Sequence, residues 1–112
     1  MSLVVRAFPV LKERELQEFA QQVSARSTEA AEFYNRLGVS RETWHLQQTP
    51  AGPWVIAVTE IADVEQTARE YAGSEEPFDR WFKDQVLYLT GINPDQDPLG
   101  PPTETVFEWR AS

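Results

Sequence analysis

Two strand-like runs joined by a short turn signal constrain this chain more than any other feature. Residues 53–60, PWVIAVTE, are its most apolar stretch, and residues 41–48, RETWHLQQ, alternate in character. Between them lies TPAG, Thr49 to Gly52, a turn signal. Two such runs with so short a link predict an antiparallel β-hairpin. In the first run Trp44 and Leu46 share one parity, while Thr43, His45 and Gln47 share the other.

The flanking segments read as helices and two further strands. Residues 3–8, LVVRAF, form a short β-branched run ended by Pro9. From Leu11 to Leu37 the apolar positions Leu16, Phe19, Ala20, Val23, Ala30, Phe33, Tyr34 and Leu37 recur at helical spacing, with a polar break at Arg26 and Ser27. Gly38 stands where a left-handed helix end is expected. Asp63 and Gln66 have the spacing of a capping box and open a second helical region. That region breaks at Gly73, resumes with Pro77 in its first turn, and carries Phe78, Trp81, Phe82, Val86 and Leu89 to Gly91. Trp81 is expected to pack against the sheet beside Phe78 and Phe82. Residues 92–102, INPDQDPLGPP, are a proline-stiffened connector, and residues 103–110, TETVFEWR, alternate as a last strand.

The order is therefore β–α–β–β–α–β, one domain over residues 1–112. This is the split βαβ, or ferredoxin-like, plan: an α+β fold with a four-stranded antiparallel sheet and helices on one face. Apolar groups fall on both strand parities. Trp44, Leu46, Trp54, Ile56 and Val58 are matched by Val55 and Ala57 on the hairpin, and Val106 by Phe107 and Trp109 on the last strand. One layer of helices cannot bury both faces, so a homodimer, sheet against sheet, is expected.

On those elements the chain resembles the dimeric α+β-barrel superfamily, in which two ferredoxin-like protomers pack sheet on sheet. The long first helix, the WHLQQTPAGPWVIAVTEI hairpin and the SEEPFDRWFKDQV segment look most like small bacterial domains of unknown function. Superfamily relatives include cofactor-independent monooxygenases of aromatic polyketides, haem-degrading enzymes and haem peroxidase relatives, and others with no known activity. The resemblance implies a fold and a range of activities. Haem-degrading relatives use an Asn, a Trp and a His together. Asn35 and His45 are present here, but His45 lies on a strand where those relatives place the His on a helix, so the triad is not carried over.

Composition narrows the chemistry. The formal net charge is −8, and the basic residues are scattered singly. Nucleic acid and anionic membrane are thus not expected as partners. The absence of cysteine removes disulfides, thiolate nucleophiles and Cys-based metal sites, and a single histidine removes His-pair metal motifs. No metal, flavin or nucleotide motif is present, so no cofactor is expected. Asn93, Asp95, Asp97 and Glu104 have calcium-loop spacing, but Pro98 stands where that loop needs Gly. Residues Met1 to Arg6 do not read as a signal peptide, and no apolar run is long enough to span a membrane, so a cytoplasmic protein is expected.

The candidate site residues follow from type and parity. His45 is the one side chain that titrates near neutrality unperturbed, and Glu108 or Tyr34 could steer it in acid–base work. The plainer alternative is a histidine in a polar layer with Arg6 and Glu108, or at a solvated edge. Trp44, Trp54, Trp81, Phe82 and Trp109, with Arg6 and Asn35, could line a pocket for a flat apolar ligand; the alternative is core packing. Two functions follow: a domain binding a small apolar or aromatic molecule, or a cofactor-independent monooxygenase or isomerase acting on an aromatic substrate.

Overall fold

The computed structural model describes residues Met1–Ala111. Its elements run β1 (Ser2–Pro9), α1 (Glu13–Ala25), α2 (Ser27–Arg36), β2 (Val39–Thr49), β3 (Gly52–Ile61), α3 (Val64–Gly73) and α4 (Pro77–Thr90). The hairpin expected from the sequence is β2 and β3, closed through the Thr49–Gly52 pair. Thr49 fixes its own turn: its Oγ1 donates to Gly52 O at 2.6 Å and accepts from Ala51 N at 3.1 Å. β1 pairs antiparallel with the far side of β3, which gives a three-stranded sheet of order β1-β3-β2. The fold is α+β with an antiparallel sheet.

Cross-strand register sorts the side chains onto two faces. Arg6 lies opposite Ala57, and Ala57 opposite Trp44; Glu42 and Val4 lie opposite Thr59. These residues, with Val55 and Ile61, face the helices. Val5, Val58 and Thr43 make the matching row on the other face, as do Ala7, Ile56 and His45. Along β3 the inner residues Val55, Ala57, Thr59 and Ile61 are buried, while Trp54, Ile56, Val58 and Glu60 on the outer face are half-buried. Even-numbered residues of β2 therefore share a face with odd-numbered residues of β3. Trp44 and Leu46 belong with Val55 and Ala57, and not with Trp54, Ile56 and Val58.

The expected first helix is two helices. It breaks at Arg26, whose backbone leaves helical geometry at φ −97° and ψ 48°. Side-chain contacts hold the junction in place. The Arg26 guanidinium holds Glu29 through two hydrogen bonds and lies 4.5 Å from the Trp81 ring centroid and 4.8 Å from that of Phe78. Trp81 packs on α1 through Phe19, at 5.4 Å between centroids, and beside Phe78 at 5.5 Å. Only half of the expected capping box forms. Asp63 Oδ1 accepts from Gln66 N at 3.1 Å, but the Gln66 side chain turns to Glu70. Gly91 ends α4 at φ 77°, the left-handed position that glycine occupies without steric cost.

The core is an aromatic cluster between helices and sheet. Phe33 and Phe82 sit at its centre, 4.8 Å apart, and Phe82 also meets Phe19 at 5.2 Å and Trp44 at 6.0 Å. Each buried ring contributes about 1.5–3 kcal/mol. Two charged side chains are also wholly buried. Asp79 is held by Arg36, and Lys83 Nζ donates to the last carbonyls of α3, Tyr71 O at 3.0 Å and Ala72 O at 3.2 Å, and pairs with Asp95 at 2.7 Å.

The expected fourth strand does not form. Pro102 bridges Arg6, and Thr103 donates its N–H to Val5 O at 3.2 Å, but residues 104–110 run on with no pairing. Continuing that antiparallel register would set Glu104 opposite Val4 on the helix-facing side and Val106 opposite Ser2, where β1 ends. The ladder would bring a carboxylate toward the core and then run out of partner strand. The sheet is thus three-stranded, and the last segment is an extended, exposed arm.

Candidate functional site

A cavity of about 100 Å³ lies between the helices and the inner face of the sheet. Phe19, Phe33, Trp44 and Phe82 form its aromatic wall, and Val55, Ala57 and Ile61 form the floor. The connector closes it on the β1 side through Ile92, Pro98, Leu99 and Gly100. An apolar cavity of ~150 Å³ stays dry and accepts a benzene ring, so this one is on the scale of a small ring.

One polar cluster enters that apolar space. Arg6 Nη2 donates to Thr59 Oγ1 at 2.9 Å and to Glu42 Oε1 at 3.1 Å, and Thr59 Oγ1 donates to the same Glu42 oxygen at 2.8 Å. The second Glu42 oxygen accepts from the Tyr34 hydroxyl at 2.5 Å. The Arg6 and Glu42 side chains are only 14% and 11% exposed. The backbone brings the four together: β1, β2 and β3 place Arg6, Glu42 and Thr59 in adjacent inward positions, and α2 lays Tyr34 across them. Burial, and then the Glu42 charge, pushes the Tyr34 phenol far above its ordinary value of 10.0. The phenol therefore stays protonated and acts as a donor.

Arg6 is the one member of this cluster with an unmet group. Its Nε is buried and has no hydrogen-bond partner among the described residues. Its stem is covered by Gly100, where an added Cβ would lie 3.9 Å from Arg6 Cδ.

The candidates expected from the sequence separate. Arg6, Tyr34, Trp44 and Phe82 line the cavity. Trp81 lies behind it against Phe19 and Phe78. Asn35 is on the exposed side of α2, and Trp54 is on the outer sheet face opposite Gln47 and Pro9. His45 is exposed on that same outer face, with Nε2 2.9 Å from Thr43 Oγ1. Glu108 and Trp109 are on the arm, Glu108 paired with Arg110 at 3.1 Å. His45, Glu108 and Tyr34 are thus not brought together, and Arg6 lies on the opposite face of the sheet from His45. Asp95, one of the calcium-like residues, is engaged by Lys83 and Arg80.

Reading by residue type misses Glu42 and Thr59, although each leaves a trace in the sequence. Glu42 is the one charged residue on the Trp44–Leu46 parity of its strand, and Thr59 the polar residue on the Val55–Ala57 parity. A charge on a core-facing parity is the pattern of a buried pair.

Comparison with known protein families, with curated proteins and with solved structures finds no match to this chain. What fold and site define is a small α+β domain with a helix-covered antiparallel sheet and one polar cluster inside an apolar cavity. No helix among the described residues is long and apolar enough to cross a membrane.

Proposed function

We propose that this chain is a homodimeric domain, a ferredoxin-like protomer completed by a second copy, that binds a small apolar or aromatic molecule in the cavity between helices and sheet. The observation that carries the binding reading is the Arg6–Glu42–Thr59–Tyr34 cluster inside an aromatic-walled space. Ligand sites are mostly apolar with a few convergent polar groups that fix orientation. A thermal-shift panel of aromatic hydrocarbons, phenols, quinones and aromatic acids tests it. At least one class should raise the melting midpoint by several degrees near saturation, since a ligand at 100 times its Kd stabilises by about 2.7 kcal/mol. Ala57→Leu fills the floor of the cavity and should abolish that shift. No shift from any class in the unaltered protein would end this reading.

The homodimer rests on a different surface. Leu3, Val5, Ala7, Trp54, Ile56 and Val58 make an apolar outer face, with Leu3 exposed and the others half-buried. Beside it the arm exposes Val106 at 90%, Phe107 at 81% and Trp109 at 76%. Contiguous apolar surface of this kind marks an association site. A second copy presents the same face to the first, as two-fold pairing requires.

A cofactor-independent oxygenase or isomerase is the second reading, and one observation favours it: Tyr34 and Glu42 are an acid–base pair in direct contact inside the cavity. On that reading, Tyr34→Phe would lower turnover of a bound substrate by ~100-fold or more with little change in binding.

A further inference from the structure

Tyr71 on α3 lines the cavity and is only 7% exposed, with its ring centroid 5.9 Å from that of Phe33 and 6.3 Å from that of Phe82. Its main-chain oxygen is taken by Lys83 Nζ at 3.0 Å, but its phenol oxygen Oη makes no hydrogen bond among the described residues. Oη is not sealed in the packing either, since Arg6 Nε is the one fully buried side-chain polar atom there without a partner. The surface that Oη keeps therefore opens on the cavity that Tyr71 lines. A buried polar group is retained where something meets it. We propose that the ligand of this cavity is a neutral molecule with a hydroxyl group that hydrogen-bonds to Tyr71 Oη.

The neighbouring polar groups select that chemistry. Tyr34 already donates to one Glu42 oxygen, and Arg6 and Thr59 donate to the other, so Tyr71 is the uncommitted phenol of the cavity. Burial first, and then the Glu42 charge, raise the Tyr71 phenol above its ordinary value, with Arg6 acting in the opposite sense. Oη thus feels the anion more than the cation. An anionic ligand group would be repelled there, in a space of low dielectric. A carbonyl can only accept, and it would turn the negative end of its dipole into that field. A hydroxyl both donates and accepts, and it brings its proton to the Oη lone pairs. An attached ring has a flat apolar surface to lie on, since Phe19 and Trp44 stack with an interplanar angle of 16° on the same cavity.

This inference rests on the binding reading above, and Tyr71→Phe separates the two because it removes Oη and keeps the ring. Three probes suffice. Phenol carries the hydroxyl, toluene replaces it by a methyl group of similar size, and anisole carries an oxygen that can only accept. Phenol is uncharged at pH 7, as a tyrosine side chain is. Dissociation constants come from amide NMR titrations of the parent and the variant. Tyr71→Phe should weaken phenol by about tenfold or more, the scale of a hydroxyl buried without its partner, and hold toluene and anisole within about twofold. In the unaltered protein with isotope-labelled tyrosine, phenol should move the Tyr71 Cζ resonance and toluene should not. That shift decides the matter should the variant fail to fold. Phenol binding that is indifferent to Tyr71→Phe, with an unmoved Cζ resonance, would overturn the anchor and leave the binding reading standing. Equal weakening of phenol and toluene would overturn it too, since the hydroxyl would then carry no preference. Anisole weakened as much as phenol would overturn the choice of a hydroxyl. No binding of any probe would overturn both readings.

Discussion

Arg36 on α2 grips both carboxylate oxygens of Asp79 on α4, at 2.7 and 2.8 Å, and Asp79 has no exposed surface. The pair ties together two helices that are distant in sequence, and it does so at the edge of the aromatic core. Removing the cation strands a carboxylate where water cannot reach it.

Arg36→Ala should therefore destabilise the protein by about 3 kcal/mol, the low end for breaking a buried pair, since Arg36 is itself 44% exposed. Adding Asp79→Leu should restore part of the loss, because an apolar group of similar volume needs no counter-charge. Urea unfolding curves give both values. An Arg36→Ala variant within ~0.5 kcal/mol of the parent would mean that the pair adds nothing.

Alkaline pH should find the two buried phenols. Burial and the Glu42 charge raise Tyr34, and burial followed by the same charge raises Tyr71, each well above 10.0. A phenol held protonated in the folded state contributes stability that is complete below its unfolded value. That stability drains away as pH rises from about 10 toward the folded value. Absorbance at 295 nm should show the phenolates of Tyr34 and Tyr71 only as the protein unfolds at high pH. Their smooth titration in a folded protein near pH 10 would contradict their burial. Tyr34→Phe should remove its share of this alkaline sensitivity.

Dimerisation should depend on the arm. Sedimentation equilibrium at micromolar protein should give about twice 12.8 kDa for the full chain. The double variant Phe107→Ser, Trp109→Ser removes the exposed rings without touching the core and should shift the equilibrium toward monomer. A full-length chain that sediments as a monomer would sink the two-copy reading outright.

Local patterns in the sequence carry the elements. The TPAG turn and alternating runs locate the hairpin, because a two-residue period and a turn with its own side-chain hydrogen bonds are local properties. The Asp63 cap and the Gly38 and Gly91 stops mark helix ends for the same reason. The break at Arg26 is visible as polar residues in an apolar stripe, yet the Trp81 and Phe78 rings that its side chain meets there lie on α4.

Part of the site is legible too. Arg6, Tyr34, Trp44 and Phe82 are candidates by residue type, and the structure sets all four on one cavity. His45 stands out because it is the only histidine, but a residue's rarity does not say which face of a sheet it occupies. Glu42 escapes notice because its meaning is relational: it matters only once Arg6 and Thr59 are its neighbours across two strands.

Sequence alone determined the α+β class, the hairpin and the succession of strands and helical regions as far as Thr90, since each follows from spacing within a few residues. Only the tertiary structure decided the rest. Cross-strand register put even-numbered β2 residues with odd-numbered β3 residues, which separated Trp44 from Trp54 and Arg6 from His45. The register on β1 decided that TETVFEWR, a strand by its alternation, leaves the sheet as an arm: continued pairing would carry Glu104 to the helix-facing side opposite Val4, and β1 offers no partner beyond Ser2. A strand exists only where a neighbour accepts its hydrogen bonds, and no pattern within the segment itself can supply that neighbour.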